Sequence, residues 1–383
     1  MNLPTAAQLE ALRQQADPAA DNLITQLVAE QGPQQAKATF DLLIRHVEMP
    51  LAELPPLVQE YWQAHQQLPA RLDPEQLRIA QSFFIDHGPK LLVILYYKSL
   101  PMLYSCAKGA EVLVKTARLD RPQGDWRIFA RRVAETAQFL LGVMAPGGLV
   151  DRGEGVQLIQ KVRLIHASIR HFLLADNWDS SAFGLPINQE DMAITLCSFG
   201  ISTLEGLERM GIQVSNEQKE AYVHTWSAVG EMLGIVPELL PDSVAEARGL
   251  ENAILERQSD TSLAGQTLTS ALVQFAQERL KSRLLQTAPE SLIRYFAGEK
   301  MATDLGLTHM PGCLSGLVPE LLASLFRKGE RLEDRSQPAL QLLFDQLSKV
   351  TMKAMFEYFD NYKQRTFVVH PELQRQWDIN QAD

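Results

Sequence analysis

The chain has 383 residues, long for one domain, whose usual size is roughly 100–200 residues. Its 36 Lys and Arg face 46 Asp and Glu for a net charge of −10, and 46% hydrophobic against 21% charged residues can fill a large core. This excludes a disordered, collagen-like or disulfide-built chain and weighs against nucleic acid, whose phosphates repel an acidic surface.

In chain order, the N-terminal stretch MNLPTAAQLEALRQQ has no charged leader and no apolar run, so no export signal is read and a cytoplasmic location is expected. Asp73 before Pro-Glu starts a helical pattern. The longest apolar runs, Leu91 to Tyr97 and Phe139 to Met144, fall far short of the ~20 residues of a membrane span. Gly109 interrupts a helical stretch, where it costs ~1 kcal/mol against alanine, so a packing reason is expected there. The densest basic run, Arg118 to Arg132, is broken by Asp120 and Asp125. Phe129, Val133, Thr136, Leu140 and Val143 share one helix face, and so do Leu158, Val162, Ile165, Ile169 and Phe172. Asn188, Ser215 and Asp242 mark further helix starts. Gly and Pro clusters at Pro122–Gly124, Pro146–Gly155, Gly184–Pro186 and Pro311–Gly316 read as loops. Leu263 to Leu284 and Ala339 to Tyr362 read as later helices without recognisable chemistry. Roughly fifteen helices, with no repeat or linker, predict an all-α chain in one helical domain over 1–383 with peripheral helices at both ends. Cys106, Cys197 and Cys313, odd in number and set in apolar segments, read as reduced and buried.

Several chemistries have no motif here. HExxH, GxxxxGK[ST] and GxSxG do not occur, and Gly153–Glu–Gly155 lacks a third glycine and a preceding strand. No histidine follows a Glu by three residues, as a di-iron carboxylate bundle needs. No CxxC exists for covalent heme attachment. A helical oxidoreductase would then rely on a macrocycle held by histidine.

The most informative segment runs from Gly155 to His171. At ~100° per residue, Arg163 lies about 60° to one side of His166 and Arg170 about 40° to the other. His171 points about 140° away and cannot share the site. Spacing alone permits two readings. One is a polar helix flank with a satisfied histidine. The other is a heme helix, with a neutral imidazole on iron and guanidinium groups on propionates. The remaining histidines, His46, His65, His87, His224, His309 and His370, sit in loop-edge, terminal or ordinary amphipathic settings.

Four segments extend the heme reading: YYKSLPMLYSCAKGAEVLVKTARL from Tyr96, VRLIHASIR from Val162, INQEDMAITLCSFG from Ile187 and AYVHTWSAVGEMLGIVPELLP from Ala221. In this order and spacing, over about 90–250, they resemble the latex clearing protein (rubber oxygenase) family and the related helical oxygenases of the mycophenolic-acid pathway type. The resemblance implies a globin-like helical core, here about 90–285, with a b-type heme. Its proximal histidine falls on His166, and its two arginines on Arg163 and Arg170. On the distal side, Lys115 and Thr116 match the end of an Arg-x-x-Lys-Thr motif whose arginine position holds Val112. Thr195 matches a pocket threonine. No Asp or Glu stands between Asp86 and Glu111, where rubber-cleaving members carry a catalytic glutamate.

The resulting expectation is a heme-b oxygenase delivering dioxygen to a carbon–carbon double bond of a small apolar, isoprenoid-type substrate. Its catalytic candidates are Lys115, Thr116 and Thr195. Leu95, Met102, Leu103 and Leu113 are candidates for its dry pocket. The alternative is a non-catalytic helical heme-binding or scaffold protein that keeps the fold without the reaction. No membrane span and no nucleic-acid partner are expected.

Overall fold

Helices begin where a side-chain oxygen can take up backbone N–H groups that have no partner in the first turn. Asp73 accepts from the amides of Glu75 and Gln76, Asn188 from Asp191, and Ser215 from Gln218 in a reciprocal capping box. The fourth start differs by one residue. Ser243, not Asp242, caps its helix, because the Asp242 carboxylate is paired with Arg71.

The computed structural model describes residues 3–45, 53–120, 126–279, 286–307 and 370–377. Pro122–Gly124, Pro311–Gly316, Ala339 to Tyr362, Cys313, His46 and His309 lie outside the described residues. In chain order the helices are α1 (Ala6–Leu12), α2 (Pro18–Gln31), α3 (Pro33–Arg45), α4 (Pro56–Ala64), α5 (Pro74–Ile94), α6 (Leu100–Ser105), α7 (Ala107–Asp120), α8 (Trp126–Met144) and α9 (Glu154–Ala175). There follow α10 (Ser180–Phe183), α11 (Gln189–Phe199), α12 (Ile201–Arg209), α13 (Asn216–Met232), α14 (Val244–Gln258), α15 (Leu263–Arg279), α16 (Ala288–Ala297), α17 (Glu299–Asp304) and α18 (Pro371–Gln376). A π-helical turn, Leu95–Ser99, joins α5 to α6. The chain is all-α, as the periodicity implied. Among the described residues the extended pairing is an isolated antiparallel bridge between Cys106 and Ser259. No described helix is long and apolar enough to cross a membrane.

The main core gathers around α5 and α13, where Phe83, Phe84, Tyr222 and Trp226 are fully buried and Phe83 meets Tyr222 edge-on at 5.0 Å. A second cluster joins Ile24, Leu27, Phe40 and Trp62 of the N-terminal helices to Leu164 and Ala167 of α9. A third joins Val112 of α7 to Leu173 and Trp178. Helix α9 also sends Val156 and Ile159 into the main core. It is the element that all three clusters share. The packing reason expected at Gly109 is Asp191: an added Cβ would sit 3.2 Å from its Oδ1. Cys106 and Cys197 are free and buried, and burial pushes both thiols up.

Pro89 lies inside α5, where it cannot donate to the carbonyl four residues earlier. That carbonyl, of Ile85, instead accepts the indole N–H of Trp377 at 2.7 Å. Gly88 makes room for the ring, since a Cβ there would lie 2.3 Å from Trp377 Cζ2. The C-terminal end of the described chain thus repairs a defect that proline creates in the central helix. Trp377→Phe should destabilise the wild-type protein by about 1–3 kcal/mol in urea unfolding. In a Pro89→Ala background the loss should shrink, because the alanine supplies the missing N–H. Equal losses in both backgrounds would refute the link.

Candidate functional site

His166 sits midway along α9, on the stretch buried by three clusters. As a residue it is partly exposed, but its ring Nδ1 is buried and makes no hydrogen bond. Burial pulls the imidazole down to about 4, and the charge of Arg170 acts in the same direction against a smaller opposing effect of Asp17. The ring is therefore neutral at ordinary pH, the form that can donate a lone pair to a metal. Among the described residues no group of three or more His, Cys, Asp or Glu could hold a metal ion. The donor on offer is a lone imidazole, which suits a macrocycle that brings its own equatorial ligands.

Arg163 and Arg170 flank His166 as the helical spacing required, and both are buried. Each is met by a carboxylate from the N-terminal end of α2. Arg163 donates through Nε and Nη2 to Asp17 at 2.5 and 2.8 Å, and its Nη1 lies 3.5 Å from the Met232 carbonyl. Arg170 donates through Nε to Asp21 at 2.7 Å and through Nη1 to the Ile187 carbonyl at 3.1 Å. Its Nη2 is buried without a hydrogen bond. Of the two arginines, Arg170 keeps a nitrogen without a hydrogen bond, while Arg163 has its Nε and Nη2 on Asp17. The Tyr61 hydroxyl, also buried and unpartnered, belongs to the same layer; burial pushes the phenol up to about 12.

Lys115 and Thr116 stand on α7. The Lys115 ammonium lies 4.7 Å from the Trp178 ring centre and 5.8 Å from that of Phe183. The Thr116 hydroxyl donates to the Val112 carbonyl at 2.7 Å and accepts from Arg132 Nη2 at 2.6 Å. Arg132 also holds the Leu113 carbonyl at 2.9 Å, so a guanidinium from α8 serves the stretch where Val112 replaces arginine. The Thr195 hydroxyl donates to the Asp191 carbonyl of its own helix at 2.7 Å. The structure thus groups Arg163, His166 and Arg170 on one flank of α9, and Lys115 and Thr116 on neighbouring α7, with Thr195 on α11 tied into its own helix. Of the pocket candidates, Leu95 and Met102 are buried in the main core, and Leu103 and Leu113 are half-buried against it.

The motif INQEDMAITL has a structural role that its sequence did not disclose. Gln189 donates to the Ala16 carbonyl at 2.7 Å and the Gly234 carbonyl at 3.0 Å, and accepts from the Val236 amide. Glu190, fully buried, takes Arg13 at 3.0 Å and Arg257 at 3.1 Å, and Asp191 takes Arg13 at 2.8 Å. Three consecutive polar residues therefore fasten the N-terminal segment to the core. The sequence reading missed Asp17, Asp21 and Arg132. The one available signal was the four-residue spacing of the two aspartates on a helix face.

With this geometry in view, a family model described as "ER-bound oxygenase mpaB/B'/Rubber oxygenase, catalytic domain" matches residues 108–315, more than half of the chain. A rubber oxygenase from Streptomyces sp. (strain K30) is 26% identical over 183 residues, 47% of this chain and 45% of that protein. The chain thus aligns with less than half the length of that curated relative. The structure of latex clearing protein LCP in the closed state superposes with a TM-score of 0.68 at 21% identity, over 90% of this chain and 91% of the other. That similarity is one of fold.

The depressed imidazole sets a pH dependence. Unfolding frees His166 to bind a proton near 6.5, while the folded chain refuses it down to about 4. Stability contributed by the neutral ring is thus present above 6.5 and is lost as pH falls from 6.5 towards 4, at about 1.4 kcal/mol per unit of separation between the two values. Urea unfolding at pH 7.5 and 4.5 should show a smaller acid loss for His166→Gln than for the wild type. Identical losses would count against a buried neutral ring.

Proposed function

We propose, because the chain belongs to the mpaB/rubber oxygenase family, that it is a heme-dependent oxygenase acting on a carbon–carbon double bond of an apolar, isoprenoid-type substrate. The observation that carries the cofactor reading is the neutral imidazole of His166 between two arginines, its Nδ1 buried without a hydrogen bond. A b-type heme held there would supply the iron centre at which dioxygen is activated.

The chain's own residues have distinct tasks in this reading. His166 would hold the iron through its neutral ring. Arg170, with one guanidinium nitrogen free of hydrogen bonds, would supply a cation for a carboxylate of the group. Arg163 contributes by holding the helix. Lys115 rests on Trp178 through a cation–π contact worth on the order of 1 kcal/mol, a hold weak enough to exchange for another partner on the distal side. Thr116, steadied by Arg132, and Thr195 are the hydroxyls proposed to line that side. Cytoplasmic action on a small substrate and a single helical domain over 1–383 are parts of the same proposal.

A second reading, heme binding without the reaction, draws on Val112 at the arginine position and on the stretch between Asp86 and Glu111, which lacks an acidic residue. Two measurements separate the possibilities. Hemin added to the purified protein should give a Soret band that His166→Ala weakens at least tenfold in affinity; no band in the wild type would remove both heme readings. Reduced, heme-loaded protein should consume oxygen when given an isoprenoid alkene. Binding without consumption would leave only the non-catalytic reading.

A further inference from the structure

Asp17 occupies the N-cap of α2, where an aspartate ordinarily accepts from its own helix's amides, yet its side chain makes no capping bond. The carboxylate turns instead to Arg163, and only 4% of that side chain is exposed. One turn later Asp21 meets Arg170, and its other oxygen accepts the Asp17 amide at 3.2 Å. The two arginines lie three residues before and four after His166, so the two carboxylates clamp both flanks of the ring's position. A small rotation of α9 about its axis would strain both pairs together. The clamp is closely housed: Gly234, at φ +85°, leaves no space for a Cβ, which would stand 2.5 Å from Asp17 Oδ2 and 3.0 Å from Arg163 Nε. Helix α2 lies outside residues 108–315, the part matched by the family model.

We propose that Asp17 and Asp21 are positioning residues for the His166 imidazole, so that the N-terminal helix completes the cofactor site from outside the matched region. This rests on the heme reading of His166. The carboxylates act through the arginines. They neutralise two guanidinium groups that would otherwise be buried unpaired beside the ring, and they fix the direction in which the ring leaves the helix.

The test compares Asp17→Asn, the conservative Asp17→Glu, and Glu10→Gln, which breaks a separate, exposed ion pair of the same N-terminal segment with Arg257. Hemin titration of the full-length protein should show Asp17→Asn binding at least tenfold more weakly, with a displaced Soret maximum, while far-UV circular dichroism remains helical. Asp17→Glu should recover most of the affinity, and Glu10→Gln should match the wild type. If Asp17→Asn fails to fold, Asp21→Asn, at a more exposed carboxylate, is read by the same two signals. Wild-type affinity and band position in the folded aspartate variant would overturn the proposal. If the wild type itself takes up no hemin, the function reading falls, and the ring nitrogen NMR signals of His166 in the metal-free protein decide. The aspartate variant should shift them and Glu10→Gln should not; unchanged signals overturn the positioning role.

Discussion

Two arginines buried on one helix are the constraint around which this molecule is arranged. A guanidinium taken out of water without a partner costs several kcal/mol, so α9 cannot be buried until Asp17 and Asp21 arrive with α2. The N-terminal segment is in turn fixed by a second set of buried charges, with Arg13 between Glu190 and Asp191. Apolar packing follows the same route, since Leu164 and Ala167 of α9 lie among the side chains of α2, α3 and α4. The polar pairs define register, and the apolar cluster supplies most of the attraction.

The sequence disclosed the helices because their periods and caps are local. Asp73, Asn188 and Ser215 cap where capping chemistry said they would, and helices α8 and α9 form over the segments whose apolar periods announced them. The apolar side chains that α9 buries are nonetheless Val156, Ile159, Leu164, Ala167 and Leu173, with the stripe from Leu158 to Phe172 half-buried. The shift from Asp242 to Ser243 shows how a distant partner overrides a local rule, because Arg71 claims the aspartate. The candidate site was legible only where it lies on one helix. Arg163, His166 and Arg170 are related by rotation, which can be computed from spacing. Their partners stand 146 and 149 positions away, and no local pattern encodes such a pairing. Arg132 was hidden for the same reason: its target on α7 is reached through tertiary packing.

The family relationship and the geometry are complementary. Membership supplies the class of chemistry, and the fold likeness to latex clearing protein covers nearly the whole chain. The particulars belong to this chain: Arg163 spent on Asp17, Arg170 with a nitrogen to spare, and Lys115 against an indole ring. The two arginines therefore differ, Arg170 keeping a nitrogen without a hydrogen bond and Arg163 having all three nitrogens engaged.

The missing cap on α2 bears on the order of assembly. Before α9 presents Arg163, the Asp17 carboxylate is free to accept amides of its own first turn, a bond worth about 1 kcal/mol, in a helix that by itself is marginal in water. Docking of α9 must draw the carboxylate away from that local use. Closure of the layer over His166 thus exchanges a bond within one turn for one with a residue 146 positions later.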